Sequence, residues 1–200
     1  MEPMYEYLEK LGKTYQPQKI LDIGAWNGFW TENCQKFWPG AHYTCIEAGP
    51  HHEQKLKLVA NKVHIAVLGD DNKPCEMNIM EVNNRAKKNK YTKGSSLFPI
   101  PSGKKDPRQM VTLKSLVGDT KFDFIKQDVQ GAEMLIMKGS PEVFQKADYV
   151  LNEVNIHKEF LKAPDVNEMN EYMKELGFNR QETIANHPGK NQIDVLYWKD

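Results

Sequence analysis

The chain has 200 residues, 40% of them hydrophobic and 27% charged, which is enough for one domain with a sizeable core. Lys and Arg together number 27, as do Asp and Glu, so the net charge is zero. That balance excludes a uniformly basic nucleic-acid-binding protein and a charge-driven disordered chain. Three cysteines without CxxC spacing favour a reducing compartment. We expect a soluble cytoplasmic protein, because no stretch approaches the roughly 20 apolar residues that span a bilayer and no apolar signal segment is visible.

Strand and helix patterns alternate along the first third of the chain. Apolar spacing predicts a leading helix over 4–11, strands over 20–23, 43–46 and 63–68, and helices over 29–38 and 54–60. This alternation is typical of a parallel α/β sheet with right-handed crossovers.

The alternation is interrupted and then resumes. The pattern predicts an extra strand over 75–82, a polar loop over 83–107, and an extended segment or short helix over 111–117. Strands over 122–126 and 149–154 and helices over 132–138 and 165–176 follow. The last strands, 178–184 and 192–198, have only a turn between them and should form a hairpin, with one strand antiparallel to the sheet. We therefore predict a single doubly wound, Rossmann-like domain over residues 1–200, with a basic loop insertion at 83–107.

A glycine-containing turn follows the first predicted strand. An open α/β sheet binds its ligand at the carboxyl ends of its strands, and a backbone turn that opens a helix can bind an anionic group. The turn is formed by Asp22, Ile23, Gly24, Ala25, Trp26, Asn27 and Gly28. Gly24 permits a tight turn, and Gly28 lets the next helix begin close to the ligand.

An acid at the end of the second strand indicates a nucleoside-bearing cofactor. Glu47 lies roughly 20 residues after Gly24, where a carboxylate can accept hydrogen bonds from a ribose diol. The dinucleotide pattern G-x-G-x-x-G is absent, because Trp26 stands at its second glycine. This favours S-adenosylmethionine, whose positive charges suit nearby carboxylates and aromatic rings. A nicotinamide-dependent dehydrogenase is the alternative.

The segment 122–133 is the most distinctive in the chain, because its strand presents Lys126 and Asp128 on one face. At this point the sequence resembles the FkbM-type methyltransferases, a branch of the class I S-adenosylmethionine-dependent fold. The matching parts are residues 22–25 with Gly28, Glu47, 125–126 with Asp128, 131–133 and 138–139. The sequence departs from the family at Gln130, where Glu is usual, and at Gln127, where an apolar residue is typical.

The resemblance implies methyl transfer to an oxygen, often on a sugar or another small molecule. Such a reaction needs precise positioning and removal of the hydroxyl proton. The candidates for catalysis are Asp128, Glu153, His157 and Lys126. The expected cofactor-binding residues are Asp22, Gly24, Ala25, Trp26, Asn27, Gly28, Glu47, Ala48, Ala66, Val67, Asp70 and Asp128. A module that binds the cofactor without catalysis is an alternative of a different class.

A basic segment suggests the type of acceptor. Residues 85–108 contain eight Lys and Arg residues against one acid, Asp106. We expect this loop to lie near the cofactor and to recognise an anionic or carbohydrate acceptor. An RNA methyltransferase is the alternative, since Tyr91 and Phe98 lie among the basic residues. Nucleic acid is nevertheless not the expected partner, and the oligomeric state is left open.

The histidines give no metal-binding signature. None of the six forms an HxxxH or HxH pattern, so no zinc site is predicted. A magnesium ion held by Asp128 and Glu153 is conceivable on ligand chemistry, but no metal is assigned.

Overall fold

The computed structural model describes residues 2–79, 95–99, 104–157, 163–187, 189 and 191–200. The strands in this part of the chain are β1 (Lys19–Ile23), β2 (His42–Glu47), β3 (Lys62–Ile65), β4 (Val67–Leu68), β5 (Lys73–Ile79), β6 (Lys104–Val111), β7 (Phe124–Gln127), β8 (Tyr149–Asn155), β9 (Arg180–Asn186) and β10 (Gln192–Trp198). The helices are α1 (Pro3–Gly12), α2 (Phe29–Cys34), α3 (Glu53–Val59), α4 (Leu113–Val117), α5 (Glu133–Gly139), α6 (Pro141–Phe144) and α7 (Val166–Glu175), with a short 3-10 helix at Pro50–His52.

The main sheet has seven strands in the order β3-β2-β1-β7-β8-β10-β9. The first five in this order run parallel, and β10 lies antiparallel between β8 and β9. This confirms the predicted doubly wound α/β sheet with its antiparallel C-terminal hairpin strand. The parallel strands β1, β2, β7 and β8 end at one edge, which is where such a sheet places its ligand.

Helices cover both faces of the sheet because side chains alternate along its buried strands. On one face, Leu8 of α1, Trp30 of α2 and Trp38, which follows α2, form a buried cluster with Phe124. On the other face, α4, α5, α6 and α7 pack against alternate residues of the same strands, such as Leu21 and Ile125. The strand ends are thereby fixed from both sides.

Some predicted elements were wrong in their bounds. The predicted strand over 63–68 is two strands, because the chain leaves the main sheet at Ala66 and β4 pairs with β6 instead. Residues 104–107, predicted as loop, are the first half of β6, which pairs antiparallel with β5. The helix predicted over 29–38 ends at Cys34, and α6 was not predicted. Residues 80–94 and 100–103 of the extra strand and basic loop lie outside the described residues.

No helix within the described ranges combines the length and the apolar character that a bilayer crossing requires.

Candidate active site

A cavity of about 970 Å³ opens at the carboxyl edge of the parallel strands. Its walls come from the turn after β1, the end of β2, the segment after β7, the end of β8 and the β9–β10 hairpin, with α1 at one side. The polar groups of these walls include Glu47, Lys126, Asp128, Gln130, Glu153, His187 and Asp194. This volume lies at the upper end of the range of about 300–1,000 Å³ that is typical of ligand pockets.

The turn after β1 needs a glycine because another strand end lies against it. Gly24 has a φ of 76°, and a Cβ atom there would lie 1.9 Å from the carbonyl oxygen of Asp128. The N–H groups of Gly24 and Ala25 both donate to the carbonyl oxygen of Ile46, at 2.9 and 3.1 Å. The turn therefore joins β2 on one side to the end of β7 on the other.

Glu47 is fixed by two backbone hydrogen bonds. Its Oε2 accepts the N–H of Trp26 at 2.8 Å, and its Oε1 accepts the N–H of Gly49 at 2.7 Å. Burial raises the pKa of this carboxyl, and the two backbone N–H donors oppose that rise. Since each carboxylate oxygen accepts more than one hydrogen bond, Glu47 retains acceptor capacity toward the cavity.

A buried ion pair lies beneath the turn. The Nζ of Lys126 lies 3.3 Å from Oδ1 of Asp22 and 3.6 Å from Oδ2 of Asp128. The hydroxyl of Thr31 donates to Oδ2 of Asp22 at 2.8 Å. Burial alone would lower the pKa of the Lys126 ammonium, but the carboxylates of Asp22 and Asp128 outweigh it and raise that pKa. Lys126 is therefore a permanent cation at the floor of the cavity.

Gln130 links two carboxylates across the cavity. Its Nε2 donates to Oδ1 of Asp128 at 3.0 Å and to Oε2 of Glu153 at 2.8 Å. The residue has a φ of 56°, and its carbonyl oxygen accepts the Ser96 hydroxyl at 2.8 Å. Glu is usual at this position in the family, and an ionised Glu has no N–H group. The amide of Gln130 supplies the N–H donors for both of these hydrogen bonds. The sequence singled out Gln130 only as a departure, and the structure gives it a bridging role.

Below this bridge, the buried Glu133 carboxylate holds the segment after β7. Its Oε1 accepts the N–H groups of Val129 at 2.9 Å and Gly131 at 3.3 Å. Burial raises its pKa to about 7, and the nearby Asp128 charge adds to the rise. Glu133 thus fixes the backbone that presents Asp128 and Gln130.

The end of β8 meets the hairpin at a cluster that the sequence did not predict as a unit. Glu153 lies directly opposite Asp194 in the antiparallel register of β8 and β10. The Nε2 of His187 lies 3.1 Å from Oδ2 of Asp194 and 3.9 Å from Oε1 of Glu153. Burial raises the pKa of Glu153, and the neighbouring carboxylates raise it further. The one sequence signal for this cluster was Asp194, an acid within the otherwise apolar run of β10.

An aromatic wall faces this polar floor. Tyr5 of α1 makes an edge-to-face contact with Phe29, with ring centroids 6.3 Å apart. Trp30 of α2 lies over the Lys126 ammonium, with its ring centroid 6.0 Å from Nζ. Among the described residues, the indole N–H of Trp30 has no hydrogen-bond acceptor although it is buried at this cavity. The wall thus combines apolar ring surfaces with a buried indole N–H.

The sequence profile of the Methyltransferase FkbM domain matches residues 22–180, which is most of the chain. The chain belongs to the FkbM methyltransferase family. This confirms the predicted family, and with it the identification of the chain as an S-adenosylmethionine-dependent methyltransferase. No curated protein matches the chain by sequence.

Solved structures of other methyltransferases share the fold of this FkbM-family chain. The O-methyltransferase TomG from Streptomyces achromogenes, involved in tomaymycin synthesis and solved with S-adenosylmethionine, is 12% identical with a TM-score of 0.53, covering 99% of this chain and 80% of its own. A TehB-like S-adenosylmethionine-dependent methyltransferase from Corynebacterium glutamicum is 12% identical with a TM-score of 0.51, covering 100% and 89%. Magnesium protoporphyrin IX methyltransferase from Synechocystis, with bound S-adenosylmethionine, is 10% identical with a TM-score of 0.52, covering 99% and 80%.

The predicted cofactor, S-adenosylmethionine, is confirmed for this family member, and the site residues fit it. Glu47 offers carboxylate oxygens for a ribose diol at one end of the cavity. Next to it, an apolar surface suits the adenine ring and includes Ala48, Ala66, Val67, Leu68 and Ile136. The cavity is also lined by Gly24, Ala25, Trp26 and the ionic groups around Lys126, the residues predicted for the methionine end.

Five of the residues predicted for the site do not line this cavity. Asp22 is fully buried beneath the turn, in the ion pair with Lys126. Asp70 forms an ion pair with Lys73 at 2.8 Å on the surface. The Oδ1 of Asn27 accepts the N–H of Phe29, and Gly28 packs against α3, where a Cβ would lie 2.7 Å from Cγ2 of Val59. His157 is exposed, and its backbone is bonded to the Asn191 side chain. At the cavity, the histidine near Glu153 is His187, because the β9–β10 hairpin folds back over the end of β8.

Proposed function

We propose that this FkbM methyltransferase methylates a hydroxyl oxygen of a small neutral polyol, such as a sugar or glycan unit. The observation that carries the proposal is the group of carboxylates at one end of the cavity. Asp128, Glu153 and Asp194 all line that end, and Glu47 lies at the other. Carboxylates accept hydrogen bonds from hydroxyl groups, and a polyol offers several such donors in a small volume.

The charge of this end argues for a neutral acceptor. Lys126 is paired with Asp22 and Asp128, so it does not present an isolated positive charge to the acceptor. A phosphate or carboxylate on the acceptor would meet the negative charges of the cluster in a site of low dielectric. The expectation of an anionic acceptor rests on the basic loop, most of which lies outside the described residues. The assay below therefore includes anionic acceptors beside neutral ones.

The geometry supports a proton acceptor near the transferred methyl group. Bound S-adenosylmethionine supplies an electrophilic methyl on a sulfonium. Asp128 follows β7 and lies against Gly24, and its side chain is 37% exposed on the cavity side. The Asp128 carboxylate would accept the proton of the acceptor hydroxyl while its oxygen takes the methyl group that the donor would supply, with the C–S bonding electrons left on sulfur. Lys126 and Gln130 hold the carboxylate in place for this step.

The test is a methyl-transfer assay with labelled donor over free sugars, phosphorylated sugars and short RNAs. We expect label to enter a neutral polyol as an ether that resists mild base, which separates it from a methyl ester. Asp128→Asn should lower kcat by about 10²–10⁴-fold, the usual contribution of a general base. Asp119→Asn, at a 90%-exposed side chain, is the matched control and should leave the rate unchanged. Label in phosphosugars or RNA alone, or on nitrogen, would contradict the proposal.

A further inference from the structure

Three potential metal ligands converge where β8 meets the hairpin. They are Oε1 of Glu153, Nε2 of His187 and Oδ2 of Asp194, and all three atoms lie within 4.8 Å of one another. One histidine nitrogen faces both carboxylates, at 3.1 Å from Asp194 and 3.9 Å from Glu153. Ligands bonded to a metal at about 2.0–2.2 Å stand a little over 3 Å apart, so only a small contraction is needed.

The three ligands are held by the sheet. Glu153 and Asp194 are directly opposite partners in the β8–β10 ladder, so their side chains leave the same face side by side. His187 follows β9, and its backbone N–H donates to the carbonyl oxygen of Gln192 at 3.2 Å. The register of β9 and β10 shifts between Asp194 and Val195, as at a β-bulge, which is a common device for re-aiming a side chain.

The Nε2 of His187 and Oδ2 of Asp194 share a hydrogen bond at 3.1 Å, which a bound cation would replace with two metal–ligand bonds. Gln130 donates to Oε2 of Glu153, and Oε1 is the oxygen that faces His187. Two positions further along β8, on the same strand face, Asn155 is only 4% exposed, and its Oδ1 accepts no hydrogen bond from the described residues.

We propose that Glu153, His187 and Asp194 form a binding site for a divalent transition-metal cation, such as Mn²⁺ or Zn²⁺. Two carboxylates and an imidazole are a ligand set that suits these ions, and the cavity leaves room for oxygen ligands from water or from a bound molecule. This site differs from the magnesium site that the sequence makes conceivable between Asp128 and Glu153. Two of its three ligands, His187 and Asp194, come from the β9–β10 hairpin.

The consequence for catalysis rests on the proposed function. A cation at this position would take two neighbouring hydroxyl oxygens of a polyol as ligands and lower the pKa of the reacting hydroxyl. Asp128, outside the ligand set, remains available to accept the released proton. Binding of the ion itself requires neither methyl donor nor acceptor, so it is measured without them.

The test is calorimetric titration of the chelator-treated full chain with ZnCl₂, and titration with MnCl₂ followed by electron paramagnetic resonance. We expect one ion per chain and a thermal unfolding midpoint that rises with ion concentration. His187→Gln and Asp194→Asn should each weaken binding by at least about 100-fold, since loss of a direct ligand exceeds the 10–100-fold cost of losing an outer partner. His157→Gln, the exposed histidine outside the cavity, is the matched control.

Absence of saturable one-to-one binding, or equal affinity of the His187→Gln and His157→Gln chains, would overturn the proposal. If Asp194→Asn does not fold, His187→Gln decides alone, because that side chain is 32% exposed and outside the core. Ion binding without methylation of any polyol would leave the metal site standing and reject the proposed acceptor. Methylation of a polyol that is unaffected by chelation, with no ion bound, would support the proposed acceptor and reject the metal site.

Discussion

Replacement of Gly24 by alanine tests the close approach on which the cofactor turn depends. The new Cβ would lie 1.9 Å from the carbonyl oxygen of Asp128, whereas real Cβ atoms essentially never come within 3.0 Å of such an atom. The segment after β7 must therefore move by roughly 1 Å, a displacement that can lower an enzyme's rate about 100-fold. The positive φ of 76° adds about 1–2 kcal/mol of backbone strain.

A matched alanine variant separates the two effects. Gly177 has a φ of 93°, but among the described residues a Cβ there would meet only Cε of Lys199, at 3.9 Å. Gly177→Ala should therefore lose about 1–2 kcal/mol of unfolding free energy in urea, from backbone strain alone. Gly24→Ala should lose about 3–5 kcal/mol and also bind S-adenosylmethionine more weakly in calorimetric titration. Equal destabilisation of the two variants, with unchanged cofactor affinity, would refute the reasoning.

Three further substitutions address the charges of the site. Lys126→Met leaves the Asp22 carboxylate buried without its cation, so urea unfolding should show a loss of about 3–5 kcal/mol, partly restored by adding Asp22→Asn. Glu47→Ala removes the carboxylate predicted to accept the ribose hydroxyls and leaves two backbone N–H groups unpaired, so calorimetry should show cofactor binding at least about tenfold weaker. Glu133 has its pKa raised from 4.5 to about 7 in the folded protein, which therefore binds this proton more tightly than the unfolded chain. The protonated Glu133 carboxyl stabilises the folded protein fully below pH 4.5. Up to about 3 kcal/mol of unfolding free energy is then lost as the pH rises from 4.5 through 7. Glu133→Gln should remove this part of the pH dependence of urea unfolding, and an unchanged pH profile would contradict the assignment.

Local patterns predicted the cofactor end of the site because its determinants are close in sequence to a strand end. The turn at Gly24 and the acid Glu47 each follow directly from a short buried strand. Once parallel strands are assumed, their carboxyl ends must meet at one edge. Lys126 and Asp128 were placed there by the same argument.

The errors in the prediction arose where the chain changes partners. Residues 63–68 read as one apolar run, but periodicity does not show that the chain leaves one sheet for another at Ala66. The polar residues 104–107 read as loop because β6 pairs with β5 in a small, mostly exposed sheet, where half-exposed strands carry little apolar signal. His157 is close to Glu153 in sequence, but the fold brings His187 to Glu153 instead.

The sequence by itself determined the alternation of strands and helices, the glycine turn with its partner acid, and through them the family and its methyl donor. These features are encoded by residues a few positions apart, where strand and helix periodicity is direct. Only the tertiary structure decided that His187 and Asp194 join Glu153, and that Gln130 bridges Glu153 to Asp128. Those contacts depend on the antiparallel register of β8 with β10 and on the return of the hairpin over the strand ends, which no local pattern encodes.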